Sequence, residues 1–260
     1  MSGAPDILLS FDIEEFDLPE EYAQSISDDD KISIPALGTT RILDVLKSRQ
    51  AKATFFVTAY FAERQPELVR RMVADGHEVG SHGMNHTTFL PEHLRQSRDF
   101  LEKLTGKTIR GFRMARLGKV SPQEIWDAGY EYESSINPTW LPGRYNNLSK
   151  PIRPYQEACG LWQYPISVLP FVRFPLFWLS YKNLPLALYG ALARAAVRFT
   201  GYYNMYSHPW EYNERCKEPQ WHIPGYITRH AGLPYAKRLS ELTAMLQSVG
   251  NLTTFSDTLP

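Results

Sequence analysis

Short apolar runs that end in polar residues alternate with segments of helical period along almost the whole chain. Ile7-Leu8-Leu9-Ser10-Phe11 is nearly continuous in apolar character and closes on Asp12. Such a run suits a strand buried on both faces. Ala53-Thr54-Phe55-Phe56-Val57-Thr58, His77-Glu78-Val79, Tyr130-Glu131-Tyr132-Glu133-Ser134-Ser135, residues 162–168, Tyr202-Tyr203-Asn204-Met205-Tyr206-Ser207 and Leu252-Thr253-Thr254-Phe255 read as further strands. Between them, Ile42, Val45, Leu46 and Arg49 recur at helical spacing. Pro66 opens a helix with Leu68, Val69, Met72 and Val73 on one face and Gly76 as its stop; Pro91 opens another, with Leu94, Leu101 and Leu104 on one face and Gly106 as its stop. Ser121-Pro122-Gln123-Glu124 reads as a capping box. Residues 184–199 and 234–249 are also helix-like, and residues 14–31, with Asp28-Asp29-Asp30, read as a solvated acidic loop apart from Glu14 and Glu15.

Strands alternating with helices imply parallel pairing through right-handed crossovers. About seven units fit the 260 residues, with no linker and no internal repeat. The expected fold is α/β, a single domain over residues 1–260 shaped as a distorted (β/α)7-type barrel related to the TIM barrel. In such a barrel the chemistry lies at the C-terminal ends of the strands. Asp12, His82, Arg113 and His208 each follow a strand candidate, so four polar groups are expected to converge on one cleft.

The best-marked of these strand ends is Gly80-Ser81-His82-Gly83-Met84-Asn85-His86. Two imidazoles four residues apart can converge on one cation. A carboxylate would complete a three-ligand set with an open position, and Ser10-Phe11-Asp12-Ile13-Glu14-Glu15 supplies the candidates.

Totals exclude other classes. Lys and Arg number 28, as do Asp and Glu, so the formal net charge is zero and no footprint of nucleic-acid binding appears. Cys159 and Cys216 lack ligand spacing, and a reduced, cytosolic chain is expected. No basic and apolar leader precedes the first strand, and no stretch of about 20 apolar residues reads as a membrane span. Residues 161–200 carry Trp162, Phe171, Phe174, Phe177 and Trp178 among prolines. They read either as a helix and loop packed on the barrel or as an exposed aromatic lip touching a sugar chain or the inner membrane face that holds a lipid-linked substrate.

On these motifs the chain resembles the polysaccharide deacetylases of the NodB-homology (carbohydrate esterase 4) family, over roughly residues 5–256. The likeness rests on Ser10-Phe11-Asp12-Ile13-Glu14, on Gly76-His77-Glu78-Val79-Gly80-Ser81 leading to His82-x-x-x-His86, on Gly111-Phe112-Arg113, on the Tyr130–Ser135 stretch, and on Tyr206-Ser207-His208-Pro209-Trp210-Glu211. The last block is most like a branch found with exopolysaccharide synthesis loci. The resemblance implies a metal-dependent N-deacetylase acting on an N-acetylated amino sugar in a polysaccharide or lipid-linked glycan. It implies a divalent cation, most simply Zn²⁺, held by Glu14, His82 and His86, with Glu15 as the rival carboxylate. It implies Asp12 as general base, Arg113 holding Asp12 ionised, and His208 as general acid, with Glu133 the place to look for an acidic partner of His208. The sequence departs from the family pattern at Ile13, where a metal-binding aspartate is usual, at Met114-Ala115-Arg116 after Arg113, and at Gly83. The rival readings are an amidohydrolase of a small amide or formamido sugar, and a catalytically inactive carbohydrate-binding protein.

Overall fold

The computed structural model describes residues 4–260, so Met1 to Gly3 of the leader reading lie outside the described residues. Strand β1 (Asp6–Ile13) is the axis of the sheet. Ile7, Leu8, Leu9, Phe11 and Ile13 are all buried, as the unbroken apolar run requires. Parallel strands β2 (Thr54–Val57), β3 (Glu78–Ser81), β4 (Gly111–Phe112) and β5 (Tyr132–Glu133) follow on one side. Helices α1 (Asp28–Ser48), α2 (Ala59–Arg64), α3 (Pro66–Ala74), α4 (Glu92–Thr105) and α5 (Pro122–Asp127) connect them.

The second half is less regular. β6 (Trp140–Leu141) and β7 (Tyr145–Asn146) form one small hairpin. β8 (Tyr155–Gln156) runs antiparallel to β9 (Trp162–Gln163), and β9 joins β5 in parallel. β10 (Val168–Leu169) and β11 (Phe174–Pro175) form a second hairpin. Then come α6 (Trp178–Asn183), α7 (Leu186–Thr200), β12 (Tyr202–Ser207), the short α8 (Gly225–Thr228), α9 (Leu233–Gln247) and β13 (Asn251–Thr253). The strand order is β12-β1-β2-β3-β4-β5-β9-β8, which curls into a distorted, nearly closed barrel with seven parallel strands from β12 to β9.

The seam lies between β9 and β12. Ser167 N–H donates to the Asn204 carbonyl at 2.9 Å, and Asn204 N–H donates to Ser167 Oγ at 2.9 Å. The buried Asn204 amide also donates to Ser134 Oγ and to the carbonyls of Tyr164 and Pro165. Side-chain amide bonds replace the missing ladder, satisfying backbone groups that a gap in the wall would strand.

Three expectations change. The acidic segment 28–30 is not loop: Ser27 caps α1 by accepting from Asp30 N–H, and three aspartates occupy the positive end of the helix. Ser121 makes no capping hydrogen bond, so the box is not formed although Pro122 does open α5. Residues 251–253 do not close the barrel but lie parallel to β1, beside Asp6 to Leu8 and ahead of the stretch that pairs with β2. Among the described residues no helix is long and apolar enough to cross a membrane.

One close approach bears on the site. Gly38 of α1 meets the turn Pro209–Tyr212, and a Cβ there would stand 1.8 Å from the Pro209 carbonyl oxygen. Glycine is thus what lets α1 seat the turn that follows His208.

Candidate active site

The C-terminal ends of β1, β3, β4 and β12 deliver the candidate residues. Along β1 successive side chains alternate, so Asp12 and Glu14 share the cleft face while Ile13 enters the hydrophobic core, fully buried. That alternation accounts for an isoleucine where a ligand is usual. His82 follows β3 directly. Its backbone N–H donates to the Val57 carbonyl. Gly83 then turns with φ of +87°, a conformation other residues enter at a cost, and the Gly83 and Met84 carbonyls accept from the first amides of α2. This carries His86 back over the strand end.

Glu14 Oε2 lies 3.2 Å from His82 Nε2 and 3.1 Å from His86 Nε2. The three donor atoms all fall within 4.8 Å of one another. His82 Nδ1 donates to the Arg113 carbonyl at 2.8 Å, and His86 Nδ1 to Asp17 Oδ2 at 2.8 Å. Both Nδ1 hydrogens are therefore engaged and both Nε2 atoms face Glu14, the arrangement in which metal-ligating histidines are usually held. Burial works to raise the Glu14 pKa, but His86, His208 and His82 outweigh it and hold the carboxyl at about 2. Burial opposes charge on His86 too, yet Glu14 and Asp17 hold its pKa at about 9.

Arg113 is fully buried. It donates to Asp12 Oδ1 at 2.7 Å, to Ser10 Oγ, and through Nε and Nη2 to the carbonyl and hydroxyl of Ser134. Its guanidinium lies over the Phe56 ring at 4.2 Å. Asp12 is thereby fixed in orientation at the edge of the cleft.

His208 ends β12. Its ring stacks on Trp210 and meets Trp178 and Tyr206 edge-on. Its Nδ1 lies 3.0 Å from Glu211 Oε1, which also accepts from the His208 N–H. The other Glu211 oxygen lies 2.7 Å from Lys182 Nζ, and both residues are completely buried. Burial acts against a charged His208, but Glu14, Glu211 and Asp12 raise its pKa above the ordinary value.

Two expected roles fall elsewhere. Glu133 is not the partner of His208: it is buried on β5, accepting from Gln163 Nε2, and burial raises its pKa. Glu211 takes that place because the turn after His208 folds residue 211 back onto the ring. Glu15 stands outside the donor cluster, one residue on and therefore on the other face, where it accepts from Thr58 Oγ1 at 2.9 Å. Three contributors went unread. Asp17 lay in the acidic loop with nothing to distinguish it. Lys182 had no motif. Glu211 carried a weak signal, its i+3 spacing from His208. Arg116, a departure from the family pattern, donates to Asp17 Oδ2 at 3.1 Å and so braces the partner of His86.

Asp12, Glu14, His86 and His208 line one cleft of about 240 Å³, with Phe177 and Trp178 on its wall. Arg116, Leu117, Arg144 and Tyr145 are shared with an adjoining hollow of about 750 Å³. The aromatic segment is thus divided: Phe177 is buried and Trp178 half-buried at the cleft, whereas Phe171 is 89% exposed.

At the strand ends of this nearly closed β/α barrel, two imidazoles and a carboxylate form a donor set of the kind that holds a divalent cation. The sequence profile described as polysaccharide deacetylase matches residues 25–130. The chain is 38% identical over 76 residues to the peptidoglycan-N-acetylmuramic acid deacetylase PdaA of Bacillus subtilis, a match covering 26% of this chain and 29% of that protein. It is 35% identical over 114 residues to a chitooligosaccharide deacetylase of Sinorhizobium fredii, covering 44% of this chain and 42% of the relative. The matched stretches thus span less than half the length of these relatives. A putative polysaccharide deacetylase of Mycobacterium smegmatis has a similar fold, with a TM-score of 0.67 at 19% identity, over 99% of this chain and 89% of that one. Residues 25–130 thus carry the polysaccharide deacetylase sequence pattern, and the chain shares its fold with that solved structure.

Proposed function

We propose that the protein removes the N-acetyl group of an amino sugar in a polysaccharide or lipid-linked glycan by cation-assisted hydrolysis. The observation that carries this reading is the convergence of Glu14 Oε2, His82 Nε2 and His86 Nε2 at the floor of a cleft lined by Asp12, Glu14, His86 and His208. One carboxylate and two imidazoles whose outer nitrogens are already engaged fit Zn²⁺ or a similar divalent ion. Such an ion supplies Lewis-acid polarisation of an acyl oxygen and lowers the pKa of water.

The remaining steps belong to side chains. Asp12, oriented by Arg113, takes a proton from the attacking water. His208 donates its proton to the departing nitrogen, which leaves poorly as an unprotonated amine. Glu211 favours the charged imidazole that this donation requires. Phe177 and Trp178 offer apolar surface to the acyl methyl or a sugar face. Relatives named for N-acetylmuramic acid in peptidoglycan and for chitooligosaccharides support an N-acetylated amino sugar as the substrate class.

The volume of the cleft favours a second reading. At about 240 Å³ it is smaller than the ~300–1,000 Å³ usual for ligand sites and suits a small amide or formamido sugar. The adjoining hollow supports the longer glycan. Metal-loaded protein should be incubated with N-acetylglucosamine monomer, its oligomers and N-formyl amino sugars, with and without chelator, and released acetate or formate measured. Chelator-sensitive acetate release that rises with chain length is expected. Release from monomers alone moves the assignment to the small-amide reading. No release from any substrate by protein carrying stoichiometric metal rejects hydrolysis and leaves glycan binding without catalysis.

A further inference from the structure

We propose that the face bearing the β10–β11 hairpin is a docking surface for a bilayer with anionic headgroups. Two independent properties of the chain meet there. The first is charge. Between Glu133 and Glu211 the sequence has one acidic residue, Glu157, against seven Lys and Arg, although the whole chain is balanced at 28 of each sign. Lys182 is consumed internally by Glu211, and Arg144 and Lys150 line the cleft and its adjoining hollow, which leaves Arg153, Arg173, Arg194 and Arg198 of the seven. The second is exposed apolar surface. At the hairpin tip Phe171 is 89% and Val172 70% exposed; beside it Phe199 of α7 is 56% and Trp140 of β6 60% exposed. Trp140, Val172, Phe174 and Leu188 border one open groove, and the Phe171 ring meets Phe199 edge-on at 6.0 Å, so these residues form a single patch.

The tip is built to project. Phe171 and Arg173 have φ of +71° and +55°, a left-handed region that non-glycine residues enter at a cost. The shape is held from behind. Arg173 donates to the carbonyls of Pro138 and Lys150, and its own carbonyl accepts from Thr139 Oγ1 at 2.7 Å. The turn therefore stands while Phe171 and Val172 point into solvent. Arg153 Nη2 donates to the Phe199 carbonyl, Arg198 is the exposed residue beside Phe199 on α7, and Arg194 is exposed one turn earlier on the same helix.

An apolar protein partner would have no use for the excess of cations, and an acidic glycan none for a projecting Phe-Val tip. An anionic bilayer uses both, taking the apolar tip below the headgroups and the arginines at their level. From the patch, β11 continues through Leu176 into Phe177 and Trp178 on the cleft wall. Docking would then hold the cleft mouth near the membrane surface. The inference concerns adhesion and stands or falls apart from the hydrolytic reading.

The test is cosedimentation of the full chain with vesicles of phosphatidylcholine alone and of phosphatidylcholine mixed with phosphatidylglycerol. Binding to the mixed vesicles only is expected, weakening as salt is added. Phe171→Ser with Val172→Ser should lower partition by about 100-fold, roughly 10-fold for each side chain withdrawn from the interface. Arg194→Gln with Arg198→Gln should lower it by about 25-fold, roughly 5-fold per charge. Phe171→Trp preserves the patch, and its added fluorescence should shift to the blue and be quenched by brominated lipid. The proposal is overturned if wild type ignores the mixed vesicles at low salt, if the tip variant binds as well as wild type while folded by circular dichroism, or if the added tryptophan is not quenched. It is equally overturned if alginate, a soluble acidic glycan, binds tightly with dependence on the two arginines and none on the tip, which would assign the face to such glycans.

Discussion

Lys182→Met tests how His208 is held. Lys182 and Glu211 are completely buried and 2.7 Å apart, Glu211 in turn accepts from His208 Nδ1 at 3.0 Å, and Lys182 also donates to the Ile227 carbonyl. Removing one member of a buried pair strands the other's charge and costs about 3–5 kcal/mol. At about 2.1 cal/mol/K per residue, the 260 residues unfold with an entropy near ~0.55 kcal/mol/K, so the thermal midpoint should fall by roughly 6–9 °C. The sign of the pH dependence is specific. In the wild type, burial works to raise the Glu211 pKa, and Lys182 and His208 outweigh it so that the pKa is lowered. The resulting stability is complete above the ordinary glutamate value, near ~4.3, and is lost only as pH falls through the lower folded value. Without Lys182, burial dominates and the folded pKa rises. The variant then loses stability as pH climbs past ~4.3, because the unfolded carboxyl ionises first. Denaturant unfolding should show a larger deficit at about pH 8 than at about pH 5. Adding Glu211→Gln should recover part of it, with a coupling of about 1–3 kcal/mol. A deficit under about 1 kcal/mol, or one independent of pH and of Glu211, would refute the buried-pair reasoning.

Further outcomes follow from the same geometry. Glu14→Ala should lose bound metal on dialysis while Glu15→Ala keeps it, measured by metal analysis; the reverse result would move the ligand to Glu15. His208→Ala and Asp12→Asn should each lower the rate on an N-acetylated oligosaccharide by about 10²–10⁴-fold with metal retained, and loss of metal from His208→Ala would remove its role as acid. Metal binding by the apo protein should weaken as pH falls, because His86, with a pKa held at about 9, must give up its proton to become a ligand, and calorimetry in buffers of different ionisation heat would report that proton. Gly38→Ala should destabilise by about 1–3 kcal/mol, since its methyl meets the Pro209 carbonyl, and unchanged unfolding would show that α1 and the turn separate freely.

Strand ends, helix stops and the histidine pair were legible in the sequence because each is a local pattern. An apolar run closing on Asp12, a Pro-opened and Gly-closed helix such as α4, and two imidazoles four residues apart are all readable within a few residues. The likeness to a family then joined these pieces in order. The carboxylate partners were not legible, because partnership depends on register and on where a loop returns. Asp17 reaches His86 across 69 positions, and Lys182 meets Glu211 from another helix. That Glu14 faces the histidines and Glu15 does not follows from alternation carried just past the end of β1, which sends one side chain to the cleft and the next to Thr58. Closure of the barrel by Asn204, and the seating of the His208 turn on Gly38, belong to tertiary structure alone. Both depend on two surfaces meeting at one distance, and a linear pattern carries directions and periods but no distances between elements.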